Sequence, residues 1–502
     1  MKPSESDAAP QAPPLSPARR FSDRQRWTVF ALLLVGAFLP PLNFAIIIVA
    51  MPAMVAELHA DAAAVQFAIS GYVGIYAASL IAGGRLGDVF GHVRMYVVGM
   101  IGFALACTLC GLAWSPSALV AGRICQGLAA AVIAPQALAL VHVLFPEHLK
   151  PRALGLYAAT FGLATLLGQV LGGALTALDL FGLGWRLIFL IDLPLIAGAL
   201  LCGLVWLREI QPRCPARRID LAGAGLCILT FACVLVPLIE GRSRGWPWWA
   251  FALLASAPLM GLLFWRHEAR VCRLGGEPLI PASALRVPGL RIGLAAALMF
   301  YSIAAFFLLL SIYLQSALGE TALRAGLLFL PFGLGFVMGP LATPWALKLA
   351  GRRLVGLGMG VEVVGFLTLS WMVATASTSA RPASFPFAAT LFVIGVGQGL
   401  ALPPLVRSIT SRAAPRHAGL IAGLLNATLQ LSAALSVAVI GGIFYAVLDG
   451  RSDAAAISNA FVVAMLCIAG GITLAAILAH GLASADALRE TSARRPPSSS
   501  VQ

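Results

Sequence analysis

Apolar stretches of about twenty residues recur from Trp27 to Gly481, divided by short polar turns. A stretch of that length crosses a ~30 Å hydrocarbon layer as a helix. No ten-residue alternation of the kind that builds a closed barrel is present. The pattern predicts about fourteen transmembrane helices, at 29–51, 64–84, 95–114, 117–143, 154–177, 185–207, 220–240, 246–265, 291–314, 324–347, 355–376, 386–408, 417–446 and 456–480. The fold class expected is therefore an all-α integral membrane protein, and an even number of spans returns both termini to one side.

Composition strengthens this reading. With 60% hydrophobic residues, 11% charged and a mean hydropathy of +0.92, the chain has more apolar surface than a soluble core encloses, so the lipid bilayer is its solvent. Arg24, Arg26, Arg94, Lys150, Arg152, Arg217, Arg218, Lys348, Arg352, Arg353 and Arg412 are among many cations on the side that holds the termini. The other side has Arg186, Arg242, Arg244, Arg324, Arg381 and Arg451. Cationic loops resist translocation, so both termini are expected in the cytoplasm. Topology also accounts for the net charge of +14, which argues against a nucleic-acid partner. Residues 1–26 lack the features of a signal peptide and are expected, like 481–502, to form a disordered cytoplasmic tail. Cys107 and Cys110 form a C-x-x-C inside the third span, where small core residues are expected rather than a redox pair.

Six spans over 27–207 and six over 289–480 suggest two six-helix bundles. Residues 208–288 form a linker with a two-helix insertion. Repeats with a site between them are a common transporter plan. The turn after span two contains Gly84, Arg85, Gly87, Asp88, Gly91, His92 and Arg94, and the turn after span ten ends in Gly351, Arg352 and Arg353.

The first of these turns resembles the G-x-L-x-D-x-x-G-[RK]-[RK] loop of the major facilitator superfamily, with His92 where the family has a cation. Arg123, Gln126 and Gly127 resemble its R-x-x-Q-G motif in span four, and Gly155, Gly168 and Gly172 part of its span-five antiporter signature, with Ala164 for a glycine and Gln169 for a proline. Trp185, Arg186, Phe189, Asp192 and Pro194 resemble the W-R-x-x-F-x-x-N-x-P string of the fourteen-span drug:proton antiporter branch. Asp220 with Gly223, and Tyr313, Leu314 and Gln315 with Gly326 and Pro331, point to the same branch. The resemblance implies that Gly84, Arg85, Gly87, Asp88, Gly91 and Arg94 act as a conformational switch. It also implies that Arg123 takes part in proton coupling and that Gly155, Gly168, Gly172 and Gly173 pack helices closely.

Span one departs from the branch pattern L-D-x-T-x-x-N-x-A-L-P. Its acid is Asn43, its threonine Ala45 and its asparagine Ile48, and span thirteen has no acid. A cavity without carboxylates holds cations poorly, so neutral or anionic amphiphiles are the expected substrates. Asp192 and Glu362 are the candidate proton carriers. Asp192 can alternatively satisfy backbone groups freed by Pro194, Glu362 can pair with Arg352 and Arg353, and Arg123 can snorkel to the interface. Candidate cavity residues are Asn43, Tyr72, Tyr76, Gln126, Gln169, Tyr301, Gln398, Asn426 and Gln430.

No metal cluster, nucleotide-binding loop or catalytic triad is evident, so no enzyme activity, metal or cofactor is expected. The expected function is export of drug-like or antibiotic amphiphiles across the bacterial inner membrane, driven by protons and alternating access. A dedicated metabolite exporter and a non-transporting scaffold are the alternatives, and a periplasmic adaptor is left open as a partner.

Overall fold

The computed structural model describes residues 22–146, 148–207, 220–276, 278–279, 287–375, 384–412 and 418–493. Its spans are α1 (Asp23–Leu58), α2 (Ala62–Phe90), α3 (His92–Gly111), α4 (Pro116–Leu144) and α5 (Lys150–Leu178), then α6a (Leu187–Leu190) with α6b (Asp192–Leu207). They continue with α7 (Leu221–Ser243), α8 (Trp248–Arg273), α9a (Leu290–Phe300) with α9b (Ile303–Ile312), and α10a (Ala322–Leu328) with α10b (Leu330–Ala350). The last four are α11 (Leu354–Thr375), α12 (Ser384–Thr410), α13 (Ala418–Leu448) and α14 (Ala454–Ala493). The fold is an all-α membrane architecture. Among the described residues 13 spans are long and apolar enough to cross a bilayer, and α2, 29 residues long, carries a shorter apolar core at Ala64–Leu80.

The boundaries with both tails differ from the sequence reading. A capping box, in which Ser22 accepts from Gln25 N and Gln25 Oε1 accepts from Ser22 N, starts α1 inside the expected leading tail, of which residues 1–21 lie outside the described residues. At the other end α14 runs on to Ala493, through Ala483, Ala485, Ala487 and Leu488, all strong helix formers.

The end where α1 begins and α14 stops is here the near end, and the opposite one the far end. Spans α1 to α6b pack on one another, chiefly α1 on α5 and α4 on α2 and α3. Spans α9a to α14 form a second group, with α12 between α10b and α11, and α14 against α9a and α11. The groups meet where α2 packs on α13, α5 on α10a and α10b, and α1 on α9b. The two inserted spans are an annex: α7 lies on α2 and α13, and α8 on α7.

Glycine sets the closest approaches. Gly168 and Gly172 of α5 face the α1 backbone between Leu42 and Ile46, and Gly173 faces Ala322 and Leu323 of α10a. In the second group Gly335 and Gly339 face Gly395 and Gly399, while Gly358 faces Gly397 and Ala401. Lipid supplies no hydrophobic drive between helices, so this close backbone packing, together with hydrogen bonds between spans, joins them. Toward the far end Ser311 donates to Ile48 O at 3.1 Å and Gln315 to Val49 O at 3.0 Å, tying the second group to the first. Exposed Trp114, Phe181, Trp248 and Phe385 ring that end, as aromatic side chains do at a membrane interface.

A methyl group at Gly172 would overlap the Ile46 carbonyl, whereas Gly225 has open space around it. Gly172→Ala is expected to cost about 1–3 kcal/mol of packing and to lower the thermal unfolding midpoint in detergent. Gly225→Ala should leave it unchanged, and equal midpoints for the two variants would contradict this account.

Candidate functional site

Pro194 cannot donate to the carbonyl of Leu190, and α6a and α6b are divided only at Ile191, which keeps helical backbone angles and donates to Leu187 O at 2.9 Å. Asp192 opens α6b and lies in the interior of the first group, with 1% of its surface exposed. Its Oδ2 accepts from Asn43 Nδ2 at 2.6 Å and from the Cys107 thiol at 3.4 Å. Asn43 Oδ1 in turn accepts from Gln126 Nε2 at 2.8 Å, and Gln126 Oε1 accepts from Arg123 Nη1 at 2.5 Å. The Arg123 guanidinium also donates through Nε to Ala68 O at 2.8 Å and lies 4.0 Å over the ring of Tyr72. Tyr72 donates to Pro40 O at 2.9 Å.

These side chains form a directed relay from cation to acid through two neutral amides. Arg123 can only donate, so Gln126 must present its oxygen to it and its nitrogen onward, and Asn43 must do the same toward Asp192. Successive dipoles add along such a chain. The relay therefore favours acceptance at Asp192 Oδ2, while Oδ1 is buried and has no hydrogen-bond partner among the described residues. Oδ1 is the atom at which a proton can be held without reversing the relay.

Arg123 is fully buried and does not reach the interface. The expectation that Asn43 sits in an acid-free setting fails, because α6b brings the Asp192 carboxylate to it. Cys107 does more than fill space, since it donates to Asp192 and accepts from Gln126 at 3.1 Å. Asn43, Tyr72 and Gln126 thus belong to the relay inside the first group.

Other candidates gather where the two groups meet. The Tyr76 ring lies 6.3 Å from that of Tyr72, and its hydroxyl is beside Asn426 and Gln430 of α13 and Tyr301. Tyr301 stands at the break between α9a and α9b, where Ser432 of α13 donates to Leu298 O at 2.5 Å. Broken helices of this kind line transporter sites at the bilayer midplane. Gln169 is buried on α5 with both side-chain polar atoms unpartnered among the described residues, and its backbone faces Gly326 of α10a. Glu362 is fully buried and faces Gln398 of α12; Arg353 is exposed, and the side chain of Arg352 lies outside the described residues. Of the span-five glycines, Gly168, Gly172 and Gly173 sit at the close approaches given above, and the surroundings of Gly155 lie outside the described residues.

Between α2 and α3 a single residue, Gly91, makes the turn at φ +95°, a region that side chains rarely enter. Gln136 of α4 braces this turn, donating to Gly83 O at 2.7 Å while its oxygen lies 2.8 Å from His92 Nδ1. Gly84 lies beside Pro135, and Gly87 packs against Gln136 and His92. Arg85 donates to Pro278 O at 3.3 Å, Arg94 is exposed, and the side chain of Asp88 lies outside the described residues. Gln136 escaped the sequence reading, although an amide in an apolar span is a signal of the same kind as Gln126.

Residues 33–437 match the family described as the Major Facilitator Superfamily. The chain is 34% identical over 433 residues to the "Probable actinorhodin transporter" of Streptomyces coelicolor, covering 86% of this chain and 74% of that protein. It is 31% identical over 420 residues to the "Tetracenomycin C resistance and export protein" of Streptomyces glaucescens, covering 83% of this chain and 75% of that one. Among solved structures, a bacterial homologue of the human drug peptide transporters PepT1 and PepT2 superposes with a TM-score of 0.65 at 14% identity, covering 94% of this chain and 100% of that one.

Arg123→Ala leaves the Gln126 oxygen and Ala68 carbonyl without their charged donor, and should lower stability in detergent by about 3 kcal/mol. Arg123→Lys is expected to recover less than half of that loss, because an ammonium cannot reach both acceptors while stacking on Tyr72. Full recovery of the unfolding midpoint in Arg123→Lys would show that charge alone matters here.

Proposed function

The chain belongs to the Major Facilitator Superfamily, and from that premise we propose that it exports antibiotic-like amphiphiles in exchange for protons. It is a multi-pass membrane transporter and not an enzyme. The relatives named above, for actinorhodin transport and for tetracenomycin C resistance and export, support an antibiotic-like substrate. That each is named for one compound favours a dedicated exporter within this class. The cation asymmetry supports a cytoplasmic near end, in the bacterial inner membrane. On that orientation the contacts of Ser311 and Gln315 with α1 close the outer side, and rocking of the two groups of spans about the seams between them would reopen it.

The observation that carries proton coupling is the relay from Arg123 to Asp192. In the branch that this chain resembles, the acid stands in span one and the asparagine in span six. Here Asn43 and Asp192 have the reverse identities, and they touch at 2.6 Å. The carboxylate has moved across one hydrogen bond while the pair is kept. A proton taken up at Oδ1 neutralises Asp192, weakens the pull along the relay and leaves Arg123 as the excess charge. Tyr72, stacked on Arg123 and adjacent to Tyr76, connects that change to the side chains where the two groups of spans meet.

Export is tested by drug susceptibility and dye efflux in an efflux-deficient host, with proton flux followed in liposomes. Asp192→Asn should cut uphill export at least about tenfold while sparing downhill counterflow. The double variant Asn43→Asp with Asp192→Asn, which restores the branch arrangement, should export within about threefold of wild type. A double variant as inactive as Asp192→Asn would remove the exchanged pair from the coupling mechanism.

The turn at Gly91 is proposed as part of the switch between the two access states. Gly91→Leu is strained by backbone conformation rather than by a clash, since nothing lies within 4 Å of the position. The variant should insert normally and lose export; normal efflux would free the turn from that role.

A further inference from the structure

The string that positions the relay occurs twice. Gln126-Gly127-Leu128-Ala129 of α4 returns as Gln398-Gly399-Leu400-Ala401 of α12, and both glutamines are buried beside an acid-bearing cluster. For Gln398 the acid is Glu362 of α11, none of whose surface is exposed. Gly358 and Gly397 bring the two backbones together at this level, so the pair is enclosed. With its amide nitrogen turned to the carboxylate, Gln398 donates to the two oxygens at 2.6 and 3.1 Å.

No cation reaches this acid among the described residues. Lys348 on α10b and Arg353 before α11 are exposed at the near end, and Arg407 lies nine positions along α12 from Gln398. On α14 the titratable groups are Cys467 and His480, neither of which acts on the carboxylate, and Asp486, Arg489 and Glu490, whose side chains lie outside the described residues. A buried carboxylate without a cation is costly when ionised. An amide partner accommodates both states of the acid, because its nitrogen donates to the ionised form and, after a half-turn of the amide, its oxygen accepts from the protonated form. A guanidinium could serve only the first.

We propose that Glu362 and Gln398 form a second proton-binding site, in the α9a–α14 group, which binds and releases a proton during turnover independently of Asp192. The inference rests on the proton-exchange reading above. The step is one proton from water onto a Glu362 carboxylate oxygen, with its return to water on release, and needs no other reactant. One turnover would then carry up to two protons, one in each group of spans.

The test is infrared difference spectroscopy of the purified full-length protein in lipid nanodiscs, titrated between about pH 5 and 9 and read at the carboxyl C=O stretch. The wild type should show two titrating components, of which Glu362→Gln removes one and Asp192→Asn the other. Gln398→Met keeps volume but removes the amide, so the Glu362 component should remain protonated across the range. A Glu362→Gln spectrum identical to wild type would overturn the proposal. If that variant does not fold, a Glu362 component titrating normally in Gln398→Met would overturn it instead. Substrate-driven proton flux in liposomes separates the two readings: flux with no Glu362 component defeats the second site alone, whereas a titrating component without flux defeats proton exchange and with it the role of the site in turnover.

Discussion

Hydrocarbon offers no hydrogen bonds, so each polar group within the spans must be answered by another part of the protein. The relay from Arg123 to Asp192 meets most of that demand with side chains from α1, α3, α4 and α6b and a carbonyl of α2, leaving Asp192 Oδ1 and Arg123 Nη2 without a partner among the described residues. Because every link is directional, rotating any one of these helices breaks at least one bond. The register of the first group is thus fixed by polarity at its centre and by apolar packing around it. Gly127, the residue after Gln126, lies against the Tyr72 carbonyl and lets α2 approach closely enough for Arg123 to reach Ala68.

The second group is organised differently. Phe306, Phe307, Phe332 and Phe366 pack ring to ring at centroid distances of 5.1 to 5.9 Å, joining α9b, α10b and α11 without a polar network. Such contacts are less directional than a hydrogen-bonded relay. One half is therefore held by polar bonds that a proton can alter, and the other by surfaces that tolerate sliding, with the Glu362–Gln398 pair at the α11–α12 seam.

The spans were legible in the sequence because lipid imposes a length and an apolar composition on each. The break between α9a and α9b was not, since Tyr301 and Ser302 carry no breaker signal and the interruption is supported from α13 by Ser432. The relay was hidden for a related reason. Its members were visible singly as polar residues in apolar spans, but their order depends on four helices meeting. Glu362 could be read against Arg353, yet nine residues make about two and a half turns and place the two on opposite faces. Gln398 came from another helix altogether.

The annex of α7 and α8 makes the molecule one-sided toward the bilayer. The seam between α2 and α13 is backed by α7, whose Leu235 fills the space beside Gly74. The seam between α5 and α10 has no such backing, and Leu163, Leu327 and Leu334 on its helices point outward. An amphiphile dissolved in the surrounding leaflet thus meets a wall on one flank and a bare joint on the other. Any lateral entrance would lie on the bare flank, and neighbouring copies would differ in access according to which flank they turned to each other.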